Sequence, residues 1–198
     1  MNKTATEKQK AKMKHIIDAA MRCFAVKGFH STSTAEICHE AGMSPGNVFH
    51  YFPNKNAIIE AIALEDAQLF DEIFCRYEAQ EESIQAVIGL MTEIIALYNH
   101  PEYARISIEI FAEASRNASI HEIFIENERN NKQRLIAMLE NGIKKGQIDP
   151  LLEPEKMATW LFVIADGSMG RNIIDPEFSE NDSQTMLELM LRKILARP

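Results

Sequence analysis

Apolar residues recur every three or four positions through most of this chain, the period of α-helices that each bury one face. Over residues 8–27 the stripe is Ile16, Ala19, Ala20, Cys23 and Phe24, and Gly28 supplies a C-terminal stop. A short helix is predicted from about Ser33, where Ser-Thr-Ala-Glu fits the capping-box pattern, to Gly42. Ser44 followed by Pro45 at a first helical position predicts another, reaching about Tyr51. Pro53 ends it, and a long helix follows from about Asn54 to Gln80 with Ile58, Ile62, Leu69 and Ile73 on one side.

Ile84, Val87, Ile88, Met91, Ile95 and Tyr98 then trace a clean amphipathic helix, broken by Pro101. The segment "ARISIEIFAEA" alternates Ile106, Ile108 and Ile110 as a strand would. With helical neighbours and no partner strand in the sequence, it reads as helix. Residues 119–145 carry Ile120, Ile123, Phe124, Leu135, Met138 and Ile143, and "KKGQIDP" closes them as a turn. Residues 154–172 and 182–196 differ in kind, being apolar on nearly every side through their centres. Such helices must be buried on more than one face, in a subunit interface or in the core of the same chain. The pattern as a whole predicts an all-α protein.

Composition narrows the classes. A hydrophobic content of 46% is that of a globular chain, and no apolar run reaches the ~20 residues of a membrane span. The basic N-terminus "MNKTATEKQKAKMKH" is not followed by the apolar core of a signal peptide, so a cytoplasmic location is expected. Cys23, Cys38 and Cys75 lack metal-ligand spacing and read as plain thiols. Charge is uneven: residues 1–55 hold 8 Lys/Arg and 4 Asp/Glu, residues 56–198 hold 13 and 25. A basic first quarter on an acidic protein suggests local contact with a polyanion, although a solvated lysine-rich arm gives the same count.

The stretch "AGMSPGNVFHYFPNKNAII" carries the sharpest chemistry. Two short helices separated by "AGMS", with a third before them, make a helix-turn-helix, whose second helix enters the major groove of DNA. Gly46 lets the backbone approach closely, and the Asn47 amide suits a base edge or a phosphate. Val48 faces inward as an anchor. His50 and Tyr51 offer hydrogen-bonding groups, and Phe49 offers apolar contact to a thymine methyl or packs beneath the helix. Lys55 opens the long helix, where its ammonium and the free N–H groups together hold a phosphate. Phe52 reads as core.

Gly28 to Ile62, "GFHSTSTAEICHEAGMSPGNVFHYFPNKNAIIEAI", resembles the DNA-binding domain of the tetracycline-repressor (TetR) family of transcriptional regulators. The family pattern is carried by Gly28, Phe29, Thr32, Ser33, Ile37, Ala41, Gly42, Ser44, Gly46, Val48, Phe49, Tyr51, Phe52 and Lys55. Cys38, Met43 and Asn47 depart from it, as does Phe49 where a tyrosine usually puts its hydroxyl on a phosphate. The resemblance implies a three-helix DNA-binding head, residues 1–55, and a six-helix ligand-binding and dimerising body, residues 56–198. The last two helices would form a four-helix interface in a homodimer that binds a near-palindromic double-stranded operator. The DNA-facing set would be Thr32, Ser33, Thr34, Ser44, Pro45, Gly46, Asn47, Phe49, His50, Tyr51 and Lys55.

Family members usually bind a small molecule in the body and release DNA. Candidate lining residues are Phe70, Phe74, Tyr77, Met91, Tyr98, Phe111 and Trp160, with Glu109 and Glu113 four apart on one helix for a cationic ligand. These choices suit an apolar or cationic effector; each residue reads equally as core or, for the two acids, as a solvated carboxylate. No cofactor or metal is implied. An enzyme would need a nucleophile–base set, metal cluster or phosphate loop, and G-x-S-x-G, H-E-x-x-H and P-loop patterns are absent. A repressor is expected, with an activator of the same fold or a helix-turn-helix protein adaptor as alternatives.

Overall fold

The structure, a computed structural model, describes residues 3–175, 177–178 and 180–197. Those residues form helices and turns without a strand. In order they are α1 (Lys3–Lys27), α2 (Thr34–Glu40), α3 (Pro45–Tyr51), α4 (Lys55–Glu78), α5 (Ser83–Asn99), α6 (Pro101–Ala114), α7 (Ala118–Lys144), α8 (Pro154–Ser168), α9 (Arg171–Ile174) and α10 (Glu180–Leu195). The expected nine are present, and α9 adds a single turn that the sequence reading did not anticipate. No described helix is long and apolar enough to cross a membrane.

The alternating isoleucines of α6 resolve simply. Ile106 and Ile110 lie one turn apart and are buried, while Ile108 points to solvent. A strand would have put all three on one face.

The chain divides into two compact units. The first takes α1–α3, α4 as far as Asp66, and Arg105–Phe124. The second takes Ala67–Ala104 and the chain from Ile125 onward. Packing therefore carries the first unit beyond the expected boundary at 55/56. Ile58, Ile59 and Ile62 of α4 and Ile106, Ile110 and Ile120 share one core with Phe24, Phe29, Ile37, Val48 and Phe52. One long helix and two short ones, α1–α3, enclose little core alone, and the added segments contribute to it.

In the second unit α5 is the central helix, packed by α8 and α10. Its consecutive Ala86, Val87 and Ile88 are all buried, as are Leu90, Met91 and Ile94, so it is covered around most of its girth. The predicted one-sided amphipathicity understated this. The turn after α7 fastens the unit: Gln147 Oε1 accepts the Ser83 N–H at 2.7 Å, capping α5, and Asp149 N–H donates to Leu195 O of α10 at 2.9 Å.

Gly142 lies where that turn meets α5. A Cβ there would stand 2.5 Å from Ile148 Cδ1 and 2.9 Å from Ser83 Cβ. Helix propensity favours alanine over glycine by ~1 kcal/mol, but overpacking a tight site costs ~1–3 kcal/mol. Gly142→Ala is therefore expected to lower the urea midpoint at unchanged slope, a net loss on the order of 1 kcal/mol. A midpoint equal to or above wild type would show that the contact relaxes freely.

Candidate nucleic-acid interface

Local chemistry sets the course of the chain from α1 to α3. Glu36 N–H donates to Ser33 Oγ at 3.2 Å and Ser33 N–H donates to Glu36 Oε2 at 2.8 Å, a closed capping box that starts α2. After Ala41 the backbone turns through Gly42 at φ 61°, with Gly42 N–H on His39 O and Met43 N–H on Cys38 O, each at 3.0 Å. A side chain is strained at that φ. Pro45 then occupies the first helical position of α3, where its missing N–H is no loss.

Helix α3 has two unlike sides. Val48 and Phe52 are buried in the first unit's core, fixing the helix from below. Ser44, Pro45, Gly46, Asn47, Phe49 and His50 are exposed, Phe49 to 44%. Tyr51 is half-buried, its ring edge-on to His50 at 5.0 Å. A Cβ built on Gly46 meets nothing within 4 Å, and its φ lies outside the left-handed region. Neither packing nor backbone conformation requires glycine there, although glycine in a helix costs ~1 kcal/mol against alanine. Lys8, Lys10 and Lys12 of α1 are likewise exposed.

Three members of the expected DNA-facing set, Thr32, Ser33 and Lys55, have partners within the fold. Thr32 is buried, and its hydroxyl donates to Gly28 O at 2.8 Å and Cys23 O at 3.3 Å, closing the end of α1. Ser33 is the cap of α2, and Thr34 is its half-buried first residue. Lys55 spends its three donors on the α1–α2 connection: Nζ donates to Phe29 O at 2.5 Å, Thr32 O at 2.9 Å and His30 O at 3.4 Å. The ammonium also lies 4.3 Å from the Phe29 ring centroid. Burial lowers the Lys55 pKa, a trend the negative charge of Glu113 opposes. The expected free ammonium for a phosphate is thus committed to the fold.

The nine ligand candidates are divided between the two units. Phe70, Phe74, Met91 and Tyr98 are buried together in the second unit, with half-buried Tyr77 packed against them. Phe70 and Tyr98 have ring centroids 6.1 Å apart, and Tyr98 stacks on Tyr103 at 5.9 Å. Burial raises the Tyr77 phenol, as do a hydrogen bond to Glu93 and that group's charge. Trp160, by contrast, is 65% exposed on α8. Glu109, Phe111 and Glu113 belong to the first unit. Phe111 pairs with Phe124 at 5.1 Å. Glu109 Oε2 accepts the Phe29 N–H at 2.8 Å, and Glu113 Oε2 lies 3.0 Å from His30 Nε2 and 3.3 Å from Arg116 Nε. The two carboxylates serve the α1–α2 connection, and neither joins the aromatic cluster. Arg116 is three residues from Glu113, but the partners of both acids in the α1–α2 connection are 80 or more residues away, so no local spacing announces them.

The second unit also has an open groove of about 490 Å³ between α4 and α7, lined by Asn127, Asn130, Asn131 and Gln133 with Asp71 and Arg134. Amide and charged side chains line it, and none of the nine candidates does. Arg134 is fixed there by two bonds to Glu78, at 2.6 and 2.9 Å, and one to Asp71 at 2.7 Å. Burial pushes the Cys23 and Cys38 thiols up, away from the reactive thiolate.

Comparison with known proteins agrees with this geometry. Residues 16–62 match the profile of "Bacterial regulatory proteins, tetR family". The HTH-type transcriptional regulator UidR of Escherichia coli K12 is 29% identical over 152 residues, 76% of this chain and 75% of that protein. Among solved structures, Salmonella enterica GusR superimposes with a TM-score of 0.78 at 29% identity, over 93% of this chain and 95% of that one. A transcriptional regulator from Saccharomonospora viridis, solved in complex with choline, gives 0.82 at 16% identity over 96% and 100%, a likeness of fold alone.

The capping box makes a pH signature. The Lys27 ammonium first, then the Ser33 backbone and hydroxyl donors, hold the Glu36 carboxyl down to about 2 from its ordinary 4.5. A carboxylate depressed in the folded state stabilises above its unfolded pKa, and that contribution is lost as pH falls through the folded value. Stability of the wild type should therefore drop between about pH 4.5 and 2 more steeply than that of Glu36→Gln. Urea midpoints measured across that window check it; parallel curves would remove the box from the account.

Proposed function

We propose that the chain, whose residues 16–62 match the tetR-family profile of bacterial regulatory proteins, is a member of that family and a homodimeric repressor that holds a near-palindromic operator and releases it on binding a small molecule. The observation that carries this reading is Gly46. It is exposed, conformationally ordinary and unneeded for packing, so its value lies in what approaches α3 from outside. Asn47, Phe49, His50, Ser44 and Pro45 share that exposed stretch, with Tyr51 half-buried at its end. They are the DNA contacts, while Thr32, Ser33 and Lys55 hold the helices that carry them. The first unit is accordingly the DNA-binding domain, and the second binds ligand and dimerises. Work on chromosomal DNA makes the cytoplasm its site of action.

A second copy of the chain is supported by α8 and α10. Leu187, Leu191 and Leu195 of α10 are buried, whereas Met186, Leu189, Met190 and Ile194 form a separate exposed stripe. On α8, Leu161, Phe162 and Ala165 are buried while Trp160 and Val163 face solvent. Large apolar exposure concentrated on two helices of one unit marks a surface meant to be covered. A two-fold interface made by the same patch on both subunits covers it with no further partner. Dimerisation then sets two α3 helices about one DNA turn apart, roughly 34 Å.

The effector is best accommodated by the Phe70, Phe74, Tyr98 and Tyr103 rings, which suit an apolar or cationic molecule through contact area and π-faces. Choline in the Saccharomonospora viridis protein is a cation of that kind.

The test has three arms. Light scattering should give near twice 22.5 kDa, and Trp160→Glu combined with Leu189→Glu should give monomer. Selection from random duplexes should return a near-palindrome. Gly46→Leu should remain folded and dimeric yet lose operator affinity by about a hundredfold or more, the scale of a blocked helix docking. Retained affinity in Gly46→Leu, or a monomer that still binds the palindrome tightly, overturns the reading.

A further inference from the structure

The turn between α2 and α3 is held at one peptide plane from two sides. Ala41 ends α2, and the planar peptide joining it to Gly42 carries the Ala41 carbonyl at one edge and the Gly42 N–H at the other. Gly42 N–H donates to His39 O at 3.0 Å, within the last turn of α2 itself. The Ala41 carbonyl is taken from another helix: His15 Nε2 of α1 lies 2.8 Å from it, 26 residues away in sequence. A carbonyl can only accept, so the proton of this contact is on Nε2, and the ring donates. His15 is itself exposed, whereas Ile16, Ile17 and Ala20 beside it are buried and seat α1 in the first unit's core. Both partners of the contact belong to that unit.

We propose that His15 is a positioning residue for DNA binding: its ring N–H locks the orientation of the Ala41–Gly42 peptide, and with it the direction in which α3 leaves the turn. The proposal rests on the operator-binding reading above. Gly42 sits at φ 61°. Glycine populates positive and negative φ about equally, so the residue that redirects the chain does not by itself select one orientation of the peptide before it. One hydrogen bond inside the terminal turn of α2 opposes rotation of that peptide, and the His15 contact adds a second, anchored on a different helix. Adhesion does not explain the residue, since Ile16, Ile17 and Ala20 pack α1 into the core without it. Only Gly42, Met43 and Ser44 separate Ala41 from Pro45, the first residue of α3, so little chain remains to absorb an error of direction. The residues displaced first would be Ser44, Pro45, Gly46 and Asn47, the exposed start of the surface assigned to DNA.

The experiment uses the full-length chain and the duplex that the wild type selects, with a scrambled duplex of equal length as reference. His15→Phe keeps a ring but loses the donor. It should lower the ratio of operator to scrambled affinity by about tenfold, the scale of one hydrogen bond lost in each of two heads. His15→Gln brings an amide N–H close to where Nε2 stands and should recover most of that ratio. Hydrogen exchange at the Gly42 amide should quicken in His15→Phe and return toward wild type in His15→Gln, while the core amides of α5 keep their protection. An unchanged ratio in His15→Phe overturns the proposal, as does an equal loss on both duplexes or a glutamine variant no better than the phenylalanine one. Should His15→Phe fail to fold, His15→Asn, whose amide stops one bond short, is compared with His15→Gln by the same ratio and by Gly42 exchange; equal values overturn it. A wild type that selects no duplex refutes the operator-binding reading instead, and that result precedes any variant.

Discussion

Everything at the DNA-facing end hangs on satisfying the backbone polar groups of a six-residue connection. Gly28 N–H still closes α1 on Phe24 O, and Ser33 O accepts the Ile37 N–H of α2. The backbone groups between them lie outside both helices, and a buried carbonyl or N–H left unpaired costs ~1–3 kcal/mol. One ammonium answers three of the carbonyls and one carboxylate answers an N–H. Both groups are delivered by helices remote in sequence, 26 residues away for Lys55 and 80 for Glu109. Because the connection is fixed, Ser33 is placed to cap α2; because α2 is placed, Gly42 delivers α3 with Val48 inward. The recognition surface is thus a consequence of a clamp that does not itself face outward.

Charge follows the same division of labour. Lys8, Lys10 and Lys12 of α1 are exposed and suit a polyanion, whereas Lys55, Lys14, Arg22 and Lys27 are engaged within the first unit. Nonspecific attraction can therefore be spread over a lysine-bearing arm while α3 presents mostly uncharged groups. Such a separation suits the operator-binding reading proposed above, in which phosphates orient the protein and the exposed side chains of α3 read the groove.

What the sequence makes legible is what is local. Gly28, the Ser33–Glu36 box, Gly42, Pro45 and the Asn54 cap each act within about four residues, and each stands where the pattern puts it. Periodicity located α4 to α8 and α10, and it located α6 despite its strand-like alternation. Phase was harder. Helices apolar all round announce two buried faces without saying which residue looks which way, so Trp160 reads as a pocket residue in the sequence and stands exposed on α8. Partners across long separations left no trace at all. Glu109 and Glu113 look like a pair awaiting a cationic ligand, and only the fold reveals a backbone amide and a histidine ring as what they hold.

The choice of polar groups for the clamp has a mechanical meaning. Isoleucines against isoleucines tolerate sliding, because apolar contact depends on area and hardly on direction. A hydrogen bond to a single N–H depends on both distance and angle, and a lost one leaves its donor unpaired. A core built only from Ile37, Ile58, Ile106 and Ile110 would keep the head together through small displacements of α6 without registering them. Adding Glu109 at the one point where glycine opens the backbone makes the same displacement a discrete event. Cohesion and placement are thereby assigned to different side chains of one helix: Ile106 and Ile110 join the common core, and Glu109 fixes the Phe29 backbone.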